Sequence, residues 1–277
     1  MDTDLTHARH DRSHCLAPGL FRSLKRGTRK NEKLDVSYCH GQEQIRFIGF
    51  EPLGADDLRL LQGIVALAGP SGVTLSPNPT ADAPKELRRL LETKQKAQEM
   101  NALMVSCHVG RLLAETGMSD GGKNIETLKA SLVRLSNVTV IASCRKQVAS
   151  FRLLSFAFDA ASSHLHVGLN PRLADAVVGN RPYARIDMGE VRCLKSDVAR
   201  LIHQRLCAFI NPGRSQRVGL PVLSSYVWPE SGTSATNRQR RHRVRKALRE
   251  ISVCGWTVNE VGRNMVDFRR PNVTAQP

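Results

Sequence analysis

The strongest pattern of apolar and polar positions lies toward the end of the chain, in residues 235–253. There Val244, Ala247, Leu248 and Ile251 recur at the three- and four-residue spacing of a helix. At 100° per residue these side chains form one stripe. They therefore predict a long amphipathic helix that buries this stripe and exposes the opposite face.

Shorter patterns on both sides of that helix complete a helix-turn-helix unit with a wing. Ser196 is a typical N-cap for a helix that ends at Asn211-Pro212-Gly213, and residues 218–227 form a short helix after it. Alternating apolar positions in 256–261 and 265–268 predict a β-hairpin, which would be the wing. Helices followed by a hairpin in this order are typical of a DNA-binding winged helix.

The first half of the sequence has the same order of elements. Its predicted elements are a hairpin at 34–50, a helix from 56 to Gly69-Pro70, a loop at 73–84, a polar helix at 85–100, helices at 106–115 and 123–135 around a turn at 117–122, strands at 138–142, 151–158 and 164–169, and a helix after Pro171. We therefore predict an α+β fold of two tandem winged-helix domains, 1–185 and 186–277. The first would carry a basic, mobile N-terminal arm and the segment 170–185 that links the two.

The charge balance indicates the class of partner. The 277 residues contain 41 Lys and Arg against 25 Asp and Glu, a net charge of +16 with neutral histidines. A field of this sign attracts polyanions, so nucleic acid is the leading partner and an anionic membrane surface the second. No apolar run is long enough to span a bilayer, and the acidic, polar start is not a signal peptide. We therefore expect a cytoplasmic protein without a membrane partner.

No motif for catalysis or for a cofactor stands out. The 7 cysteines include no C-x-x-C pair, and the one ligand-like cluster, His7, His10, His14 and Cys15, has no second cluster to complete a tetrahedral site. Residues 117–123 match the start of a P-loop, but Asn124 replaces the hydroxyl that binds Mg²⁺, and the segment follows a helical pattern. We therefore expect no cofactor, no metal and no enzymatic activity.

The predicted helix at 235–253 also holds the densest run of positive charge. Its cations before the first acidic residue, Glu250, are Arg238, Arg240, Arg241, Arg243, Arg245, Lys246 and Arg249. A solvated charged helix is the alternative interpretation, but such helices usually carry acidic partners four residues away, and this segment has none before Glu250. Unpaired like charges on one helix favour a phosphate backbone as their counterpart.

Candidate DNA contacts follow in both units. In the second unit they are Ser234, Thr236, Asn237, Arg238, Gln239, Arg241, His242, Arg243, Arg245, Lys246 and Arg249 on the helix, with Arg263 and Asn264 at the hairpin turn. In the first unit they are Lys123, Thr127 and Arg134 on a helix, with Arg145 and Lys146 at a hairpin turn. Glu126 offsets part of the charge of the first unit, so a homodimer contact, a secondary DNA contact and a primary one remain open there.

Several distinctive blocks lie along the sequence: CLAPGLFRSLKRG (15–27), EPLGADDLRLLQGIVALAGP (51–70), ARLIHQRLCAFINPG (199–213), YVWP (226–229), RQRRHRVRKAL (238–248) and GWTV (255–258). Together these blocks resemble one family, the RepC replication initiators of IncQ-type plasmids. The resemblance implies two winged-helix domains that bind tandem repeats (iterons) of double-stranded DNA at a plasmid origin. It further implies that adjacent A·T-rich DNA opens and that a plasmid-encoded replicative helicase then enters.

Two other functions use the same features. A winged-helix transcriptional repressor would place the same basic helix on a promoter operator and would dimerise through the other unit. A general nucleic-acid-binding structural protein fits the charge, but aromatic residues make up only 5% of the chain and no stacking motif is present. Tandem repeats beside A·T-rich DNA would favour an initiator, and a single palindrome over a promoter would favour a repressor.

Overall fold

Antiparallel sheets with helices packed around them make up the computed structural model, which describes residues 7–25, 27, 29, 32–145, 147–159, 161–262 and 264–273. In chain order the first elements are β1 (His7–Asp11), α1 (Arg12–Leu16), β2 (Leu34–His40), β3 (Glu43–Gly49), α2 (Ala55–Ser71), β4 (Val73–Leu75), α3 (Asp82–Leu90), β5 (Lys94–Gln95), a 3₁₀ turn (Lys96–Glu99), β6 (Ala102–His108), α4 (Val109–Glu115), α5 (Gly122–Ser136), β7 (Thr139–Cys144), β8 (Gln147–Arg152), β9 (Leu154–Asp159), β10 (His164–Leu169) and α6 (Pro171–Val178). The later elements are β11 (Tyr183–Asp187), α7 (Met188–Cys193), α8 (Asp197–Phe209), β12 (Ser215–Gly219), α9 (Leu220–Val227), α10 (Ser234–Val253), β13 (Thr257–Val261) and β14 (Met265–Arg269).

The strands form separate sheets in the two halves. The first half contains a five-stranded sheet in the order β2-β3-β7-β8-β5 and a four-stranded sheet in the order β4-β6-β10-β9. The second half contains a three-stranded sheet in the order β12-β14-β13, and β1 pairs with β11. Every strand pair is antiparallel. The mixed α+β class predicted from the sequence is confirmed.

Helix α2 lies at the centre of the molecule. Asp56 and Asp57 sit in its first turn, where negative charge is favourable, and the backbone N–H of Gly54 donates to the Asp57 carboxylate at 2.8 Å. Its apolar residues are buried from Leu58 to Ala68, and the helix packs against β1, β6, α5 and α8. It continues through Gly69-Pro70 to Ser71, slightly beyond the predicted end. Both halves of the chain therefore share one core.

The helix-turn-helix of the first half is shorter than predicted. Residues 102–108 form strand β6, in which Val105 and Cys107 point inward, and only Val109–Glu115 is helical. The strand prevails because its register with β10 places Ser106 opposite His166, a pairing between distant residues that local periodicity does not reveal. The second helix, α5, matches its prediction, with Leu128, Leu132 and Leu135 buried.

Four other predicted elements need correction. The expected polar helix at 85–100 is α3 followed by β5 and a 3₁₀ turn, which the guanidinium of Arg88 ties to α3 through the carbonyls of Ala97 and Gln98. The expected loop at 73–84 contains β4, and the expected helix at 218–227 begins only at Leu220 because Ser215–Gly219 joins the wing sheet. The expected strand at 151–158 is divided at buried Leu153 between β8 and β9, which belong to different sheets.

The N-terminal residues from His7 onward are not a mobile arm. Strand β1 pairs with β11 over its whole length, and His10 and His14 are buried. Helix α1 packs on α8, and the backbone N–H of Ser23 donates to the carbonyl of Val227 at 2.9 Å. The beginning of the chain is thus part of the core between the halves, while the proposed boundary at residue 185 stays a prediction.

Candidate nucleic-acid interface

Helix α10 begins with a well-defined N-cap. The hydroxyl of Thr233 accepts the backbone N–H of Thr236 at 3.2 Å, which satisfies one of the free donors of the first turn. The side-chain amide of Asn237 donates to the carbonyl of Gly232 at 2.9 Å. Thr236 and Asn237, proposed from the sequence as DNA contacts, therefore have their side chains engaged in the start of the helix. Sequence reasoning missed Thr233 because several Ser and Thr residues in a row offered equivalent caps.

The two faces of α10 agree with the predicted pattern. Val244, Ala247, Leu248 and Ile251 are its buried residues, as the apolar spacing predicted. The exposed residues of the basic segment are Ser234, Arg238, Gln239, His242, Arg243, Lys246 and Arg249, and Arg241 and Arg245 are half-buried. A row of cationic and amide side chains therefore faces solvent on the side opposite the core. We call the row Arg238, Gln239, His242, Lys246 and Arg249 the reading face.

Some cations of α10 have partners that are distant in sequence. The Nε atom of Arg245 lies 3.0 and 3.1 Å from the two carboxylate oxygens of Glu260 on β13. The expectation that the helix lacks acidic partners is wrong for the folded chain, and along the helix itself Glu250 stands four residues after Lys246. Both side chains of this pair are about 40% exposed (39% and 41%), so the pair is weak and a phosphate can replace the carboxylate.

Trp228 holds two further cations of α10 in place. The guanidinium groups of Arg240 and Arg243 lie over its indole ring, 5.6 and 4.9 Å from the ring centre. Arg240 also donates to the backbone carbonyl of Glu230 at 2.7 Å. Stacking on an aromatic face fixes a guanidinium without neutralising its charge. Trp228 was not among the predicted site residues, and its position before the helix gave no signal of this contact.

The wing of the second half is a three-stranded sheet with its turn in solvent. Asn264 is exposed at this turn, and its backbone carbonyl accepts the N–H of Leu220 at 2.8 Å, which joins the turn to the start of α9. Arg263, the other predicted contact at the turn, lies outside the described residues. On the sheet itself, Arg217 and Asp267 form a two-point ion pair on adjacent strands, with Nη2 2.8 Å from Oδ2.

The predicted contacts of the first half do not form one surface. Lys123 is exposed at the start of α5, and the hydroxyl of Thr127 donates to the backbone carbonyl of Lys123 at 2.9 Å. Arg134 instead turns inward and is 2.8 Å from the carboxylate of Asp57, which is fully buried. Arg134 is therefore a structural ion-pair residue, and we do not retain it in the interface.

The hairpin turn of the first half is only partly described. Arg145 is exposed there with a φ of +53°, and Lys146 lies outside the described residues. The turn belongs to β7 and β8, which are central strands of the five-stranded sheet and not a separate wing.

One buried cluster brings possible metal ligands together. Ligand atoms of Glu190, His203 and Cys207 lie within 4.8 Å of one another. The same nitrogen, His203 Nε2, is 2.5 Å from the Glu190 carboxylate and 3.4 Å from the Cys207 sulfur, so the arrangement is that of a hydrogen-bonded histidine. Burial would lower the pKa of His203, but the contacts with Cys207 and Glu190 outweigh it and raise the pKa to about 10.

The N-terminal histidines form a packed group. His10 and His14 are buried with ring centres 6.2 Å apart at a steep angle, and His14 also contacts Phe47 edge-on. Burial lowers the pKa of His14 to about 3, so it is neutral at physiological pH. In the described part of the chain, these residues belong to no group with ligand atoms close enough for a metal ion.

The P-loop match is a connection between helices. Residues 117–121 join α4 to α5, and the side-chain amide of Asn124 donates to the backbone carbonyl of Ser119 at 2.7 Å. A P-loop follows a strand, so this context does not fit. Among the described residues, no helix is both long and apolar enough to cross a membrane.

Comparison with known proteins gives a family and a fold. The family model described as "Replication protein C (RepC)" matches residues 2–272. No curated protein matches the chain. A crystal structure of selenomethionine derivatives of domains 2 and 3 of RctB is similar over 94% of this chain and 98% of that one, with a TM-score of 0.59 and 11% sequence identity. A second structure of RctB domains 2 and 3 has a TM-score of 0.54 and 11% identity, covering 93% of this chain and 95% of that one.

Proposed function

The chain belongs to the replication protein C (RepC) family, and on that basis we propose that it is a plasmid replication initiator that binds tandem iteron repeats at the plasmid origin. The single observation that carries the DNA-binding part is the reading face of α10. This face is cationic and solvent-exposed, and a rigid stripe of buried apolar residues lies behind it. A rigid helix with such a face has the dimensions and the donors that the major groove of DNA requires.

Base recognition would come from the second half. Arginine side chains on the reading face suit guanine, which presents two acceptors in the major groove, and Gln239 suits adenine. Ser234, Thr236 and Asn237 at the start of α10, together with Arg241, Arg243 and Arg245 on its flanks, would hold the adjacent backbone. Arg263 and Asn264 at the wing turn would contact flanking phosphates or the minor groove.

The first half would supply secondary contacts. Lys123 and Thr127 on α5 and Arg145 with Lys146 at the β7–β8 turn offer fewer charges than α10. They would contact flanking DNA or mediate a homodimer. Contacts from both halves of the chain on each repeat would bend the duplex. The strain from initiators bound to successive repeats would accumulate at flexible A·T-rich steps. Strand opening without ATP and the entry of a plasmid-encoded helicase would follow.

Binding to origin DNA across a salt series tests this proposal. We expect the full chain to prefer a duplex with the candidate repeats over a scrambled duplex by about 10³-fold or more. The logarithm of the binding constant should fall with the logarithm of salt concentration with a slope of about −5, which corresponds to roughly six phosphate contacts. Arg249→Ala should weaken binding while leaving the unfolding transition unchanged.

Each other outcome has a defined meaning. Equal binding to repeats and scrambled DNA would refute site-specific initiation and leave a non-specific polyanion binder. Binding to a single palindrome over a promoter, without opening of neighbouring A·T-rich DNA, would favour a repressor instead.

A further inference from the structure

A second basic surface lies beside α10 and is built partly from the beginning of the chain. The segment Arg22–Lys25 runs along the N-terminal part of α10, and a groove of about 530 Å³ separates the two. The backbone bond from Ser23 to Val227 fixes the segment, and Arg22 donates to the Glu230 carboxylate at 3.0 Å. We call this feature the flank groove.

The flank groove is continuous with the reading face. On its helix side it is lined by Thr236, Gln239, Arg240 and Arg243, which recur at three- and four-residue spacing and therefore form one stripe of α10. This stripe is rotated by about 100° from the centre of the reading face. Gln239 belongs to both, so a DNA duplex seated on the reading face would place one edge of its major groove at the flank groove.

The flank groove is positively charged, and neighbouring side chains orient its guanidinium groups. Its cations are Arg22, Lys25, Arg240 and Arg243, and its carboxylates are Glu32 and Glu230. Arg22 is paired with both carboxylates and Arg240 with Glu230, which orients these two guanidinium groups. Lys25 and Arg243 are the exposed cations, and Arg243 keeps its charge over the Trp228 ring.

A glycine just before α10 leaves the groove open at that end of the helix. Gly232 lines it, and a Cβ atom at this position would lie 2.8 Å from the side-chain oxygen of Asn237 and 3.1 Å from the guanidinium of Arg240. The first backbone N–H groups of α10 follow this glycine and carry the positive end of the helix dipole. The groove therefore combines exposed cations and oriented guanidinium groups around one open space.

We propose that the flank groove binds the sugar-phosphate backbone of the DNA strand that borders the major groove occupied by α10. This inference rests on the proposed function, and it assigns a role in DNA binding to the Arg22–Lys25 segment. The groove reads no base, because phosphates carry no sequence information. Its contacts fix the register of the protein on the duplex and increase the affinity.

Salt-dependent binding of the full chain to the repeat duplex tests the proposal. Lys25→Ala should make the slope of log K against log salt less negative by about 0.9, as expected for one lost phosphate contact. The loss of affinity between 50 and 200 mM salt should then be smaller than in the wild type by roughly 3.5-fold. The preference for repeats over scrambled DNA should not change. Lys85→Ala on α3, which also removes an exposed lysine, is the matched control and should leave the slope unchanged.

A second variant is expected to strengthen the binding of DNA by the groove. Glu230→Gln removes a carboxylate that holds Arg22 and Arg240, so these guanidinium groups become available to phosphate. We expect tighter binding and a steeper salt slope. Glu86→Gln, which breaks the exposed pair with Arg89 on α3, is its control and should have no effect.

Ethylation of individual phosphates locates the contact on the DNA. In the wild type, ethylation at the edge of each repeat should reduce binding, and Lys25→Ala should lose this sensitivity at that edge alone. If the wild type prefers repeats but neither Lys25→Ala nor Glu230→Gln changes the salt slope, the groove serves another anion and this inference is wrong. If the wild type shows no preference for repeats, the proposed function itself fails.

Discussion

The buried guanidinium of Arg172 offers the sharpest test of how this fold is held together. Arg172 on α6 is only 3% exposed and joins three parts of the first half. It lies 3.0 and 3.2 Å from the Glu43 carboxylate on β3, 3.0 Å from the Ser13 hydroxyl on α1 and 3.8 Å from the Asp11 carboxylate on β1. Arg172→Met keeps most of the side-chain volume and removes the charge.

The loss of stability in Arg172→Met follows from the carboxylates that the variant leaves without a positive partner. Removing one partner of a buried ion pair typically costs about 3–5 kcal/mol, because the remaining charge is buried without compensation. For a chain of this size that corresponds to a fall in Tm on the order of 10 °C. Arg181→Met is the control. Arg181 contacts the same Glu43 carboxylate at 3.1 Å but is 29% exposed, so it should cost about 1 kcal/mol or less.

The Asp11 carboxylate, which lies beside Arg172, predicts how the stability of the fold depends on pH. Burial would raise the pKa of Asp11, but His14, Arg172 and hydrogen bonds to Ser13 and His14 outweigh it and lower the pKa to about 2. Because the pKa is lower than the usual 3.8 in the folded state, this carboxylate contributes stability that is fully present above pH 3.8. That contribution is lost as the pH falls toward 2.

Urea unfolding followed by far-ultraviolet circular dichroism at pH 7 and pH 3 measures both effects. The difference between wild type and Arg172→Met should be large at pH 7 and should narrow at pH 3. If Arg172→Met costs no more than Arg181→Met, or if its cost is the same at both pH values, the buried pair does not stabilise the fold as argued here.

Further expectations concern the second half. Leu248→Ala should destabilise by about 2–5 kcal/mol, because Leu248 lies in the buried stripe of α10, and chemical denaturation of the full chain measures this. Thr233→Ala removes the N-cap of α10 and should cost about 1 kcal/mol in the same assay, whereas Thr233→Ser should cost little. The pKa of His203 is raised to about 10, so its pair with Glu190 contributes stability that is fully present below pH 6.5 and is lost as the pH rises through 10. His203→Gln should therefore flatten the decline of stability between pH 7 and pH 10, and an unchanged decline would contradict this assignment.

Helical periodicity was the most reliable guide in the sequence. The buried residues of α10 match the predicted stripe and α5 spans nearly the predicted residues, because long amphipathic helices repeat their pattern many times. Strands β4, β6 and β12 were missed for the opposite reason. Their pairing partners lie elsewhere in the chain, so nothing local separates them from a loop or a helix end.

Ion pairs and stacking contacts were beyond local reasoning. The cations of α10 looked unpaired along the helix, yet Glu260 and Trp228 reach them from other elements. Arg134 appeared to be a surface residue of α5, yet its guanidinium lies beside the buried carboxylate of Asp57. The flank groove was hidden in the same way, because it joins residues near position 25 to residues near position 240.

The pairing of β1 with β11 has a consequence for how the protein is made. Strand β1 ends at Asp11 and its partner begins at Tyr183, and at about 5–20 residues per second a ribosome needs roughly 10–35 s to synthesise the chain between them. During that time β1 has no partner strand, so residues 7–11 reach their final positions only long after they are synthesised. Chains released before residue 187 lack the complete partner of β1, and we expect proteases to cut them more readily than the full chain. The β1–β11 pairing thus makes the fold of residues 7–11 depend on a segment that is synthesised much later.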